Sequence, residues 1–434
     1  MQYRIDRHSI EPTRKRLEVF MLSDRYGDVV DGGNFTGPAV DAFGRARVSD
    51  PFTLFESVHR YGDNGKWNTY LGATAAVGAT AAIQHQTNES TIDCIVGTHA
   101  DDIVIRETKT VFPYQPGKSL LFLTTFVMNE LKENLRQRVG YFGDKNGIYL
   151  ETDGTDVYLV ERSYVSGSVT ENKISQANWN IDPLDGTGSS KVILDLSKGN
   201  ILFIDVEWLG IGTCRVGFII DGQYVIAHKF HHANIIATTY LTTATLPIRY
   251  EIENLGTTSS SSILKQICST VISEGGYNLS GLGKSIARGV PSYQTLSSTA
   301  GQFVPTISLK LNNTFADTIV LVNNISILME SNSNIQWKLL ANATLTGDSF
   351  VTTATEKVHY DVSATDVTGG TELASGFLAA SSAITIDDTF SYQLKRGIND
   401  ITRSITGTTE TITLAAAGFS PSKKIATLLG WTEI

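Results

Sequence analysis

The chain has 434 residues, 41% hydrophobic and 18% charged, with a formal net charge of −9. That balance excludes a general nucleic-acid binder, which needs a basic stripe, and fits a globular chain long enough for two or three domains. The first residues lack an apolar signal-peptide core, and no stretch of about 18 apolar residues is present to insert in a membrane, so the expectation is a soluble chain made in a cytoplasm. Three cysteines, Cys94, Cys214 and Cys268, have no metal-type spacing. They read as reduced, buried thiols, and no cofactor is implied.

Residues 1–60 read as an irregular N-terminal arm. Arg4, Arg7, Arg14, Lys15, Arg16 and Arg25 crowd its start, and Phe43, Phe52 and Phe55 are spaced along its end as candidate interface anchors. Ordering such a segment costs roughly 1–2 kcal/mol of backbone entropy per residue. Burying each Phe returns about 1.5–3 kcal/mol. The arm is therefore expected to pack on another chain or on the far side of its own sandwich. Asp28, Asp31 and Gly32 sit as in a calcium loop, but no Glu closes it, so a plain turn is expected. Residues 73–83 are compatible with helix or with a loose strand.

From residue 90 the strand signal is steady. Residues 102–111 alternate, and 119–128 form a continuous apolar run fit for a central strand. The charged stretch 130–138 reads as the one short helix. Runs at 148–152 and 157–162 flank Asp153-Gly154-Thr155, a hairpin with the expected turn chemistry. A strand is also expected over 191–196. In 201–208, Leu202, Ile204, Val206 and Trp208 share one face, while Phe203, Asp205 and Glu207 share the other. Gly210-Ile211-Gly212 allows a reversal, and Asp221-Gly222 joins the strands 214–220 and 223–230. Ile248, Tyr250 and Ile252 alternate with Arg249, Glu251 and Glu253, and 263–274 adds a further strand. Antiparallel strands with one apolar face need a second sheet. The expected fold class is all-β: a jelly-roll or lectin-like β-sandwich over 61–275.

Glycines and serines make 276–304 a linker. Strand patterns at 306–311, 318–329, 335–340, 351–362 and 409–414 then predict a smaller C-terminal β-sandwich over 305–434. The apolar end Leu428-Leu429-Gly430-Trp431-Thr432-Glu433-Ile434 is either a last strand or a peg into a neighbouring subunit, with Trp431 a candidate interface residue.

Several stretches resemble structural proteins of tailed bacteriophages of the marine and cyanophage type. They are Ala42-Phe43-Gly44-Arg45-Ala46-Arg47-Val48-Ser49, Tyr114-Gln115-Pro116-Gly117-Lys118-Ser119 and Arg138-Val139-Gly140-Tyr141-Phe142. Others are Glu207-Trp208-Leu209-Gly210-Ile211-Gly212, the run from Leu246 to Asn254, and Ile335-Gln336-Trp337-Lys338-Leu339-Leu340 with Leu345-Thr346-Gly347. The resemblance covers 42–275 closely and 305–434 loosely. It implies a place in the virion, made in the host cytoplasm, with head or tail left open. The expected partners are a major capsid protein or tail proteins and sister subunits, with a trimer the expected assembly.

Chemistry has few candidates. Asp205 with Glu207, and Glu251 with Glu253, are carboxylates two apart on a strand face, roughly 6–7 Å from each other by strand rise. Glycoside hydrolysis uses paired carboxylates at about this separation. The Glu-x-Asp-x-x-Glu pattern of jelly-roll glycosidases fails here, because Phe203 stands two before Asp205 and no carboxylate stands three after it. Outer-face polar residues paired with Arg215 or Arg249 are the expected alternative. His228, His231 and His232 lack a regular metal spacing. Gly281-Leu282-Gly283-Lys284-Ser285 has Asn278 where a phosphate-binding loop needs glycine. Tyr164 and Trp179 are candidate stacking platforms should the chain bind a host surface glycan.

Overall fold

The computed structural model describes residues 51–434 apart from 74–78, 277–280, 290–291, 316–317, 330–331, 353–354, 381, 387–404 and 406. Phe43, the possible calcium turn and the first resemblance stretch lie outside the described residues. Among those described there are 29 strands and two short 3-10 turns, and no helix is long and apolar enough to cross a membrane. The all-β class is as expected.

In chain order the first part contains β1 (Phe52–Val58), β2 (Trp67–Gly72), β3 (Ala81–Gln86), β4 (Thr91–Val96), β5 (Ile103–Thr108) and β6 (Phe112–Pro113). Next come β7 (Ser119–Val127), β8 (Leu135–Phe142), β9 (Gly147–Asp153), β10 (Asp156–Ser163), β11 (Thr170–Ser175) and β12 (Asn200–Val206). It closes with β13 (Cys214–Ile220), β14 (Gln223–Phe230), β15 (Thr245–Leu246), β16 (Ile248–Asn254) and β17 (Ser262–Glu274). One sheet runs β14-β13-β12-β7-β17-β4-β3, with β1 added on β17. The other runs β11-β10-β9-β8-β16-β5-β2. Their facing sides hold the core, including Phe122 of β7 stacked on Tyr141 of β8 with ring centroids 4.0 Å apart.

Alternation decides these elements. Leu202, Ile204 and Val206 enter the core while Phe203 and Asp205 turn outward, and Ile248, Tyr250 and Ile252 do the same against Arg249 and Glu251. The Asp221-Gly222 turn has φ of +51° and +71°, the pair of positive angles that a tight hairpin requires. At Gly212 a Cβ would stand 1.5 Å from the Glu207 carbonyl oxygen, so this reversal needs glycine.

Several expectations are corrected. The stretch 130–138 is no helix: Asn134, at φ +63°, ends a turn and β8 begins at Leu135. Arg136 and Arg138 take alternate positions of that strand, while Glu130, Lys132 and Glu133 lie before it. Residues 191–196 make a single bridge, Asp185 to Ile193, within a long loop. Of 351–362, strand β24 covers Val358–Asp361, with Val351 bridged to Tyr360. The arm is not irregular to residue 60, since β1 pairs with β17 from Phe52 to Val58.

The stretch 276–304 also differs from a bare linker. It holds β18 (Leu282–Arg288) and β19 (Gln294–Thr295), both paired with the last strand. The remaining strands are β20 (Val304–Leu311), β21 (Val320–Met329), β22 (Ile335–Ala341), β23 (Thr344–Thr346), β24 (Val358–Asp361), β25 (Asp366–Thr368), β26 (Thr371–Leu378), β27 (Ala383–Ile386), β28 (Thr411–Gly418) and β29 (Lys424–Glu433). They form two five-stranded sheets, β18-β29-β21-β27 with β19 beside β29, and β24-β20-β28-β22-β26. Leu309, Ile325, Trp337, Leu414 and Leu429 lie in the core between them.

Candidate functional site

The two carboxylate pairs do not share a cleft. Asp205 and Glu207 lie on the outer face of the eight-stranded sheet, and Glu251 and Glu253 on the outer face of the seven-stranded one. A hydrophobic core separates them. Each pair is held by arginine. Arg215 reaches Asp205 at 2.8 Å and Glu207 at 2.5 Å.

On the seven-stranded sheet, Glu251 of β16 takes Arg138 at 2.8 Å and Arg249 at 2.9 Å. Arg138 also bridges to Glu151 of β9 at 2.5 Å, and Lys173 of β11 closes on Glu151 at 2.6 Å. Arg249 extends to Asp144 at 2.7 Å, Arg136 pairs with Glu253, and Arg162 with Glu171 at 2.8 Å. The Tyr149 hydroxyl donates to Glu171 at 2.9 Å, and the Arg138 and Arg162 guanidinium planes lie over the Tyr149 ring. Register explains the pattern: β9, β8 and β16 bring Glu151, Arg138 and Glu251 side by side across three strands. Opposite charges at facing positions stabilise a sheet.

At Glu251 the electrostatics oppose acid–base work. Burial alone would raise the Glu251 carboxyl, but Arg249 and Arg138 outweigh it and hold the group at about 2. A glycosidase general acid must keep its proton near neutral pH. Glu251 does not.

The histidines also diverge. His232 sits between the Gly212 carbonyl at 2.7 Å and Glu161 at 2.6 Å, with its ring parallel to Tyr240 at 3.8 Å. Burial would lower it, but the Glu161 hydrogen bond raises it overall. His228 accepts the Asn180 backbone N–H on Nδ1, and burial and then the charge of His231 lower it to about 4. No group of three metal-ligating side chains occurs among the described residues. The stretch from Gly281 opens β18, and Lys284 pairs with Glu356 and with Glu433 at 3.3 Å.

Three aromatic expectations are corrected. Phe55 is in the first core, edge-on to Trp67 and Phe112. Trp431 is in the second core, on the last strand rather than a peg, and its indole N–H donates to Glu433 at 3.1 Å. Trp179 is buried and stacks on Phe218. Phe52 remains 51% exposed. Tyr164 lies under the Lys145 ammonium at 4.7 Å.

Two features escaped the sequence reading. Arg106 is fully buried, bound to Gln266 at 2.8 Å, Thr69 at 2.8 Å and Asp63 at 3.0 Å. An exposed edge-on pair, Phe377 and Phe419, lies in the second sandwich with centroids 6.2 Å apart. Arg106 of β5 meets Gln266 of β17 across the space between the two sheets, and Phe377 of β26 meets Phe419, just past β28, across the intervening β22, contacts that sequence spacing does not display.

No family model matches this chain, and no curated protein matches it. Solved structures similar to it include a Bacillus licheniformis β-glucanase (12% identity, TM-score 0.33, 50% of this chain and 96% of that one). The Emp47p carbohydrate recognition domain is another, at 10% identity and TM-score 0.32, covering 55% of this chain and 100% of that one. A CBM2 module of the evolved Dit of Lactobacillus casei BL23 phage J-1 gives 7% identity and TM-score 0.34, with 53% and 98% covered.

Proposed function

We propose that this chain is a non-enzymatic building block on the exterior of a tailed-phage virion, most readily a head decoration or cement protein. Its partners would be the major capsid protein and sister subunits, associated as a trimer. The observation that carries the reading is the state of the carboxylates: they stand on opposite outer faces, and each candidate is clamped by arginine. Such ladders make two-sided, rigid walls rather than a reactive cleft. The resemblance stretches in residues 114–142, 207–212 and 246–254 support the same reading. Symmetric self-association would add weak contacts together.

The experiment is immunogold labelling of intact particles with antibodies against this chain. Gold on the heads is expected. Labelling that appears only after particles are disrupted contradicts an exterior position.

A second reading, a tail, collar or fibre protein that attaches to a host glycan, is favoured by the exposed Phe377–Phe419 pair, since open aromatic faces stack on sugar rings. Gold on tails, with binding to host lipopolysaccharide lost in Phe377→Ala, would favour it over the first.

A further inference from the structure

The crossover from β14 to β15 is anchored differently in its two halves. In the second half, Tyr240 and Leu241 enter the core, and the Tyr240 N–H donates to the Gly210 carbonyl at 3.1 Å. The Asn146 amide grips Thr242 twice, donating to its hydroxyl at 2.6 Å and accepting its N–H at 3.1 Å. In the first half, residues 231–239, His232 is the one buried side chain, and Ile235 beside it is 70% exposed. An apolar plug would hold such a segment at any pH. Here the plug is a titratable ring.

That ring joins the two sheets. Its Nδ1 lies 2.7 Å from the Gly212 carbonyl oxygen, in the turn from β12 to β13 of the eight-stranded sheet. Its Nε2 lies 2.6 Å from Glu161 of β10, in the seven-stranded sheet. A carbonyl oxygen and a carboxylate both accept, and a neutral imidazole has one N–H to give. The two short contacts coexist when a proton lies in each, so the Glu161–His232 pair holds one proton more than a neutral ring and a carboxylate. The charged ring then lies flat on Tyr240, within 3° of parallel and 3.8 Å away, an arrangement that favours the cation.

The neighbouring groups leave that proton in control. Burial pushes the Cys214 thiol of β13 and the Tyr240 hydroxyl well above their ordinary values, so neither charges near neutrality. Burial, and then the charge of His231, holds His228 of β14 at about 4. Lys229 and His231 line the same hollow as His232, and Glu161 is the one carboxylate among its lining residues. At His232 burial is outweighed by the Glu161 bond and the Gly212 carbonyl, which raise it above its ordinary 6.5. The hold is therefore complete below 6.5 and is lost as pH rises through the raised value.

We propose that His232 is a proton-operated latch. While the Glu161–His232 pair keeps its proton, residues 231–239 are bolted across both sheets; when the proton leaves, this segment opens and 240–246 stays in place. The inference concerns the chain alone and stands apart from the virion reading.

The test follows the isotope-labelled histidine ring nitrogens of the full-length chain by NMR, with His232 assigned by the loss of its signals in His232→Phe. Both His232 nitrogens are expected to be protonated at neutral pH, with a titration midpoint above 6.5. Amide hydrogen exchange, read by mass spectrometry and corrected for the intrinsic rate of an unfolded peptide, should speed up over 231–239 as pH rises through that midpoint. The expected gain is about tenfold or more, the loss of one hydrogen bond to a charged group, with 240–246 unchanged. Glu161→Gln should lower the midpoint and give the faster exchange already at neutral pH. His232→Phe, which keeps a ring on Tyr240, should make the corrected exchange over 231–239 independent of pH. A neutral His232 tautomer at neutral pH overturns the proposal, and so does corrected exchange over 231–239 that stays constant through the midpoint. Both of these readings use the unsubstituted chain, so a variant that fails to fold leaves the decision intact.

Discussion

The two outer faces of the first sandwich carry the same kinds of side chain and use them differently. On the seven-stranded sheet, arginines and carboxylates alternate across β9, β8 and β16 until each is matched, and two aromatic rings lie beneath the guanidinium planes. On the eight-stranded sheet, one arginine serves two carboxylates beside an apolar patch. The first face is complete in itself and stiffens the sandwich. The second sets a small ion-pair cluster beside buried apolar groups of the same sheet. The difference teaches that paired carboxylates on a lectin-like sheet acquire meaning from the cations across the neighbouring strands, not from their own spacing.

The comparison breaks first at Glu251. Glu251→Gln leaves Arg138 and Arg249 buried without their shared carboxylate, and a loss of about 3–5 kcal/mol in urea unfolding is expected. A loss below about 1 kcal/mol would mean that the ladder does not hold this face together. Phe55→Ala should cost a similar amount, about 3–5 kcal/mol, because the ring fills the chain's own core. An unchanged unfolding midpoint would return Phe55 to the interface.

Acid sharpens the account. The Glu251 carboxyl is depressed in the folded chain to about 2, from an ordinary value of 4.5. Its contribution is therefore present above the ordinary value and is lost as pH falls through that range toward 2. The size is about 3 kcal/mol, from the conversion of a pKa shift into free energy. Urea midpoints measured between neutral pH and the acid limit should fall in this window, and Glu251→Gln should flatten that part of the curve. His228, lowered to about 4, adds a loss that begins earlier, as pH drops below its ordinary 6.5.

Smaller effects belong to the other face. Glu207→Gln should cost about 1 kcal/mol or less, since Asp205 keeps Arg215 paired. Phe52→Ala should stay within about 0.5 kcal/mol in the isolated chain, as its ring is half open. A large loss at Phe52 would place it in the chain's own packing.

How much of this was legible follows from what each residue sees. Strands whose one side meets the core, such as 201–206 and 248–254, advertise themselves by alternation. The Asp221-Gly222 turn shows itself because few residues tolerate its φ values. The start of β8 hid because outward arginines and a glutamate nearby resemble the charged face of a helix. Strand β18 hid for the opposite reason: much of it is exposed, so Leu282, Lys284 and Ile286 follow no apolar pattern. Arg215 and Arg249 were visible as partners for the carboxylates. The joining of Arg138 to both Glu151 and Glu251 depends on strand register, which a sequence does not display.

The most direct measurement is quantitative mass spectrometry of purified particles against infected-cell lysate. The account predicts this chain in the particles at a copy number comparable with other external proteins. Abundant expression in the lysate with none in the particles would contradict it.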